Sequence, residues 1–314
     1  MSRILTGLVV YIGAACLCHG QSASGEIFEE TFELRASGHR DLTLYLKYPD
    51  SGKQGLKGVI AFVTPGKAGP NDLTAGGGNY GYLVEFANQH SLAAVVFGQP
   101  SSKGWNRTVS SDELTGREAA SQDRNLDSLS REFSKVIDRF SRNFGLPEKD
   151  WFLYGVCGGA QYAHRIALRI PEKFKAVHVH YGGSYDVPTN QGKSVFWLVT
   201  SHSDEPAYIA AQRFYRSSRE KGYGIILRGY SARNAPADYE ETYQWGALSG
   251  RRNLSVKFFE YALSHDKWGS EGENFIADYV NEIVVPEKEG EWIPASQAIL
   301  VPGKELASAW KQDR

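Results

Sequence analysis

The chain has 314 residues, 41% of them hydrophobic and 12% aromatic, which is enough to bury a large core in one α/β domain. Its formal net charge is -1, so no global field draws it to nucleic acid or to an anionic membrane. The composition therefore excludes an electrostatically driven nucleic-acid partner and points to a small-molecule, uncharged ligand.

Residues 1–20 differ from the rest. Arg3 supplies a positive start, 4–17 form an apolar run without charge, and small residues follow up to Gly20. The run is too short to cross a bilayer comfortably, so it is expected to be a signal peptide cleaved near Gln21, leaving an exported (periplasmic or secreted) protein with no integral membrane span. Of the 3 cysteines, Cys16 and Cys18 leave with that segment. Cys157 is then the lone thiol of the mature protein, with no intramolecular disulfide open to it.

Along the mature chain, 26–49 reads as two strands, with Leu42, Leu44 and Leu46 alternating against Thr43, Tyr45 and Lys47. The continuous apolar runs 58–63 (GVIAFV) and 92–97 (LAAVVF) have the character of strands buried on both faces, with a helix near 80–90 between them. A polar, turn-rich insertion is expected over 99–122. Beyond it Leu126, Leu129, Phe133, Val136, Ile137, Phe140 and Phe144 recur at helical spacing. Further buried strands are predicted at 151–155, 176–181, 195–200 and 224–227, with helices over 160–170 and 207–221. Strands alternating with helices imply parallel pairing and right-handed crossovers, hence an α/β, doubly wound, mostly parallel sheet with helices on both faces. The domain is expected to span 21–285, with 286–314 a polar extension that wraps the surface.

One turn carries chemistry. Tyr154-Gly155-Val156-Cys157-Gly158-Gly159 sets a nucleophile between glycines where a strand turns sharply into a helix. The thiol would stand at the helix N-terminus, where the dipole favours thiolate over thiol.

The stretch 151–188 (WFLYGVCGGAQYAHRIALRIPEKFKAVHVHYGGSYDVP) resembles the elbow region of the α/β-hydrolase superfamily, in its poly(3-hydroxybutyrate)-depolymerase-like and dienelactone-hydrolase-like group. Members show G-x-S-x-G-G, then a Gln, a His-Arg pair and a later Gly-x-Tyr-x-x-Pro. Gln161, His164-Arg165 and Gly183-Ser184-Tyr185 with Pro188 match, while Cys157 stands where serine is usual, as it does in dienelactone hydrolases. The resemblance implies the α/β-hydrolase fold, carboxylic-ester hydrolysis without a cofactor or metal, and an oxyanion hole made by the N–H of Gly158 with that of Gly66 or Lys67. Thr64-Pro65-Gly66 is equally readable as a plain strand-ending turn, and Pro65 cannot donate.

The resemblance also implies an acid at Asp204, after the strand 195–200, and a histidine after the strand 224–227. The loop that follows holds no histidine: Arg233 or Asn234 falls at the third position, and neither is a general base at neutral pH. His202 is the foremost substitute. His265 could serve only if the helical stretch from Asp238 folds back, and His164, two turns below Cys157, matches a position taken as structural. Two readings follow: a thiol-dependent ester hydrolase, or a degenerate hydrolase-fold binding protein without turnover.

Overall fold

The computed structural model describes residues 25–34, 41–74, 80–98, 117–202, 206–230, 249–269 and 272–312. Its main element is an 8-stranded sheet in the order β1-β2-β4-β3-β5-β6-β7-β8. The strands are β1 (Ile27–Phe32), β2 (Leu42–Lys47), β3 (Gly58–Thr64), β4 (Leu92–Gly98), β5 (Trp151–Val156), β6 (Phe174–His180), β7 (Phe196–His202) and β8 (Gly224–Tyr230). β2 runs antiparallel to both β1 and β4, and all pairs from β4 through β8 are parallel. In β2 the leucines face inward and the polar residues outward, as the alternation predicts, while every residue of β3 is buried. β3 needs apolar residues at each position because helices cover both of its faces.

The helices are α1 (Gly81–Gln89), α2 (Arg117–Phe144), α3 (Gly158–Arg169), α4 (Pro206–Glu220), α5 (Ser249–Ser264) and α6 (Lys304–Gln312). α3 and α4 share one face, where the His164 ring lies 6.1 Å from that of Phe214. α1 and α5 share the other, with Phe86 and Phe259 ring centroids 6.2 Å apart. On α2, Leu126, Leu129, Phe133, Ile137 and Phe140 are buried, as the helical spacing predicts. α2 begins at Arg117, so the last part of the expected polar insertion is helical; the rest of the insertion lies outside the described residues.

The C-terminal part does more than wrap the surface. β9 (Asn274–Asp278), β10 (Ile283–Pro286) and β11 (Ala298–Pro302) form a 3-stranded antiparallel sheet in the order β10-β9-β11. α6 follows and buries Trp310 completely, its indole N–H donating to the Leu227 carbonyl at 2.9 Å. β8 closes one end of the large sheet, so its outward carbonyls have no strand to pair with. The Trp310 bond satisfies one of them, and β11 and α6 shield the edge from further pairing. The mixture of small strands and one amphipathic turn in a polar tail hides this role from a periodicity reading.

Candidate active site

β5 runs straight into Cys157, whose backbone sits at φ 53°, ψ -121°. A non-glycine residue held there costs on the order of 1–3 kcal/mol, which the surroundings must offset. They do so on three sides. The Cys157 N–H donates to the His180 carbonyl at 3.0 Å, tying the turn to β6. The Cys157 carbonyl accepts from the N–H groups of Ala160 and Gln161 at 3.0 and 3.3 Å, which starts α3. Gly155 and Gly159 let backbone meet backbone: a Cβ on Gly159 would lie 2.0 Å from the Val63 carbonyl oxygen, and one on Gly155 would lie 2.5 Å from that of Gly159. The elbow is thus pressed against the end of β3. The Cys157 thiol is exposed.

β3 and β5 are neighbours in the sheet, so the turn after β3 lies beside the elbow at the carboxyl edge. Thr64 Oγ1 donates to the Gly66 carbonyl at 2.9 Å and fixes that turn. Among the described residues no turn, loop or cap carbonyl accepts from the N–H groups of Gly158, Gly66 or Lys67.

Of the histidines considered from sequence, His202 is the last residue of β7, buried, with its ring edge-on to Tyr181 at 5.0 Å. It stands at the carboxyl edge two strands from Cys157, about 10 Å at the usual strand spacing. Asp204, Arg233 and Asn234 lie outside the described residues. His265 belongs to the opposite end of the molecule. It follows α5, stacks on Tyr261 at 4.1 Å, and its neighbour Asp266 pairs with Lys175 at the start of β6, 3.0 Å away.

His164 is part of a closed polar cluster beside α3. Its Nδ1–H donates to the Ala160 carbonyl at 3.1 Å, and its Nε2 accepts the Asp186 N–H at 3.0 Å. Burial holds it neutral, pushing its pKa down to about 3. Arg165 donates to Asp186 at 2.9 Å and Arg169 to the other carboxylate oxygen at 2.8 Å. Burial alone would raise the Asp186 pKa, but Arg165 foremost and Arg169 outweigh it and hold the carboxyl at about 2. The cluster pins the loop after β6 onto α3, which gives His164-Arg165 and the Gly-x-Tyr-x-x-Pro stretch a structural role.

Sequence reasoning passed over His178 and His180, which it read only as part of a strand. Both project from β6 onto the α5 face. His178 Nδ1 lies 3.0 Å from Ser255 Oγ on α5, and its Nε2 lies 2.9 Å from Thr200 Oγ1 on β7. Thr200 Oγ1 in turn lies 2.7 Å from His180 Nδ1. Burial pushes the His178 pKa down to about 3, so this ring is neutral. The i, i+2 spacing in VHVHY was the available signal, since it puts both rings on one face of a strand ending beside the elbow.

A cavity of about 470 Å³ opens between the loop after β6 and α4, lined by Gly183, Tyr185, Val187, Ile209, Arg213 and Phe214 among others. Gly183, in the cavity lining, lies close to the end of the Gln161 side chain on the first turn of α3. Among the described residues no group of three or more His, Cys, Asp and Glu side chains is placed to hold a metal ion, and no helix is long and apolar enough to cross a membrane.

No protein-family model matches the chain, and no curated protein does. Among solved structures it is similar to a thermostable esterase, with a TM-score of 0.54 and 15% identity over 76% of this chain and 62% of that one. The chain thus spans less than two thirds of that esterase. It is also similar to a poly(3-hydroxybutyrate) depolymerase from Bordetella parapertussis (TM-score 0.47, 14% identity, 74% and 90% of the two chains). A dienelactone hydrolase from Anabaena variabilis gives a TM-score of 0.44 at 18% identity over 75% and 98%. The likeness to the esterase is one of fold, and with the strand order it makes this chain an α/β-hydrolase-fold protein.

Proposed function

We propose that the chain is an exported carboxylic-ester hydrolase in which Cys157 is the nucleophile and a small, uncharged ester is the substrate. The observation that carries the reading is the Cys157 backbone: a thiol held exposed in a strained turn at the start of α3, pressed against the end of β3. Cys157 attacks the ester carbonyl, and the Gly158 N–H together with that of Gly66 or Lys67 receives the developing oxyanion. The alcohol leaves, and water hydrolyses the thioester. The cavity between the loop after β6 and α4 falls within the usual 300–1,000 Å³ of small-molecule sites and would take the substrate's acyl or alcohol part. In this reading Asp204 is the acid and His202 the base, residues 1–20 are removed on export, and neither cofactor nor metal takes part. The domain runs over 21–285, and 286–314 extends it.

A panel of p-nitrophenyl esters assayed with wild type and Cys157→Ala tests this. Turnover should fall by on the order of a thousandfold in the variant, and equal rates in the two proteins would remove Cys157 from the chemistry.

The second reading, a binding protein that has lost turnover, has one specific support: residues 231–248 contain no histidine at the place where the fold's general base is expected. Rapid labelling of Cys157 by an activated ester, seen by intact mass, favours the hydrolase. An inert thiol with tight ligand retention favours the binder.

A further inference from the structure

We infer that the cavity between the loop after β6 and α4 is a binding site for a small carboxylate with an apolar body, its charge met by Arg213. The inference goes beyond the hydrolase reading, which it needs only to say where such an anion comes from.

One stripe of α4 forms the first wall. Pro206, Ile209, Ala210, Arg213, Phe214 and Ser217 recur three and four positions apart, so they share the helix face that lines the cavity. Val187 and Pro188, on the loop after β6, form the other. Between the two, Phe214 stacks on Tyr185 at 5.0 Å, and both rings are buried. Ile209 and Val187 are 54% and 57% exposed. Exposed aliphatic side chains scattered singly need no explanation, but these two line one cavity from different elements, so a ligand seated there removes both from water.

The walls are fixed from behind. Asp186, next to Val187, is held through its two carboxylate oxygens by Arg165 and Arg169, at 2.9 and 2.8 Å, and its N–H donates to His164 at 3.0 Å. Beyond Pro188, Thr189 Oγ1 donates to the Leu168 carbonyl at 3.2 Å, and the Thr189 carbonyl accepts from the Tyr223 hydroxyl at 2.6 Å. On the other side Phe214 meets Trp197 of β7 edge-on at 5.6 Å, which ties α4 to the sheet. A site whose walls are already ordered loses little entropy on binding.

The same bonds set the sign of the ligand. Among the described residues of the lining, Asp186 is the one acidic side chain, and two guanidinium groups already occupy it. Arg213 is the one basic side chain there, it is exposed, and no hydrogen bond or ion pair joins it to another described residue. The cavity thus sets a single unmatched positive charge beside an apolar surface. A guanidinium receives a carboxylate through two parallel N–H···O bonds, whereas a cationic ligand would find no open carboxylate here. Ile209 precedes Arg213 by four residues, so a ligand with its carboxylate at the guanidinium has an apolar side chain one helical turn, about 5.4 Å, away for its body. Two sources offer this chemistry: the free acid that ester hydrolysis releases, and an ester that carries a second, free carboxylate.

Isothermal titration calorimetry with 4-phenylbutanoate and 4-phenylbutanamide, which share a body and differ in charge, tests the site. Wild type should bind the acid about fivefold more tightly than the amide, the size expected of a charge-assisted pair at an open cavity. Arg213→Gln should bring the acid down to the affinity of the amide, and Arg213→Lys should keep part of the preference. Ile209→Ala should weaken both ligands to a similar degree. Cys157→Ala should bind both as wild type does, so the two readings fail separately: the hydrolase on ester rates, the carboxylate site on titration. Equal affinity for acid and amide in wild type, an unaltered preference in Arg213→Gln, or no binding of either ligand would overturn the assignment. Kinetics then names the source. If the free acid is the ligand, 4-phenylbutanoate should inhibit hydrolysis of its own p-nitrophenyl ester about fivefold less strongly in Arg213→Gln than in wild type. If the ester brings the carboxylate, Arg213→Gln should raise KM for mono-p-nitrophenyl adipate about fivefold more than it raises KM for p-nitrophenyl hexanoate.

Discussion

The two faces of the sheet handle buried polarity in opposite ways. On the α3 face, His164, Arg165 and Arg169 converge on Asp186: two guanidinium groups meet its carboxylate, Arg169 also reaches Asp127, and the histidine donates to the Ala160 carbonyl of its own helix while accepting the Asp186 N–H. On the α5 face, Ser255, His178, Thr200 and His180 form a line that begins in a helix and ends beside the elbow. A closed set of charges locks two segments together and can do nothing else without breaking. A line of neutral donors and acceptors can reverse or pass a proton at low cost, since no ion is left behind. The contrast divides the histidines between two roles. His164 holds a loop, whereas the pair on β6 joins its strand to β7 and α5 through uncharged partners.

Breaking the closed side should give the largest loss of stability. Asp186→Ala leaves Arg165 buried and without its carboxylate, and should cost about 3–5 kcal/mol in urea unfolding. A loss near zero would mean that the cluster does not lock the loop. The same carboxylate sets an acid limit. Its folded-state pKa, about 2, lies below its ordinary 3.8, so its contribution is complete above pH 4 and disappears as the pH falls towards 2. Unfolding measured across that window should lose about 2 kcal/mol in wild type and show no such component in Asp186→Ala.

The smallest effect is expected at the elbow, and with the opposite sign. Cys157→Gly relieves the positive φ, so it should raise stability by about 1 kcal/mol while abolishing ester turnover. A destabilised Cys157→Gly would indicate that the turn is not strained and would weaken the case for a nucleophile there.

How far these contrasts could be read from sequence depends on the range of the interactions. The strands showed themselves because burial on both faces demands unbroken apolar runs, as in GVIAFV and LAAVVF, and the elbow showed itself because only glycine tolerates backbone contact on each side of Cys157. Both are local requirements. Expecting the role of 286–314 would have meant knowing that β8 ends the sheet and needs a donor, which is a statement about strand order and not about any window of residues. The Thr200 link between His178 and His180 is likewise invisible, because it joins residues 22 and 20 positions apart that only the parallel pairing of β6 and β7 brings together. Asp204, Arg233 and Asn234 rest on sequence alone.

The Trp310 indole bridges 83 positions to reach Leu227. A chain is made from its N-terminus, so every strand of the large sheet is complete well before the residue that seals its last edge exists. During that interval β8 presents an open ladder, the kind of surface that templates association between nascent chains. The helix that carries Trp310 therefore closes that edge late, and a chain truncated before Trp310 should show a greater tendency to aggregate than the full one.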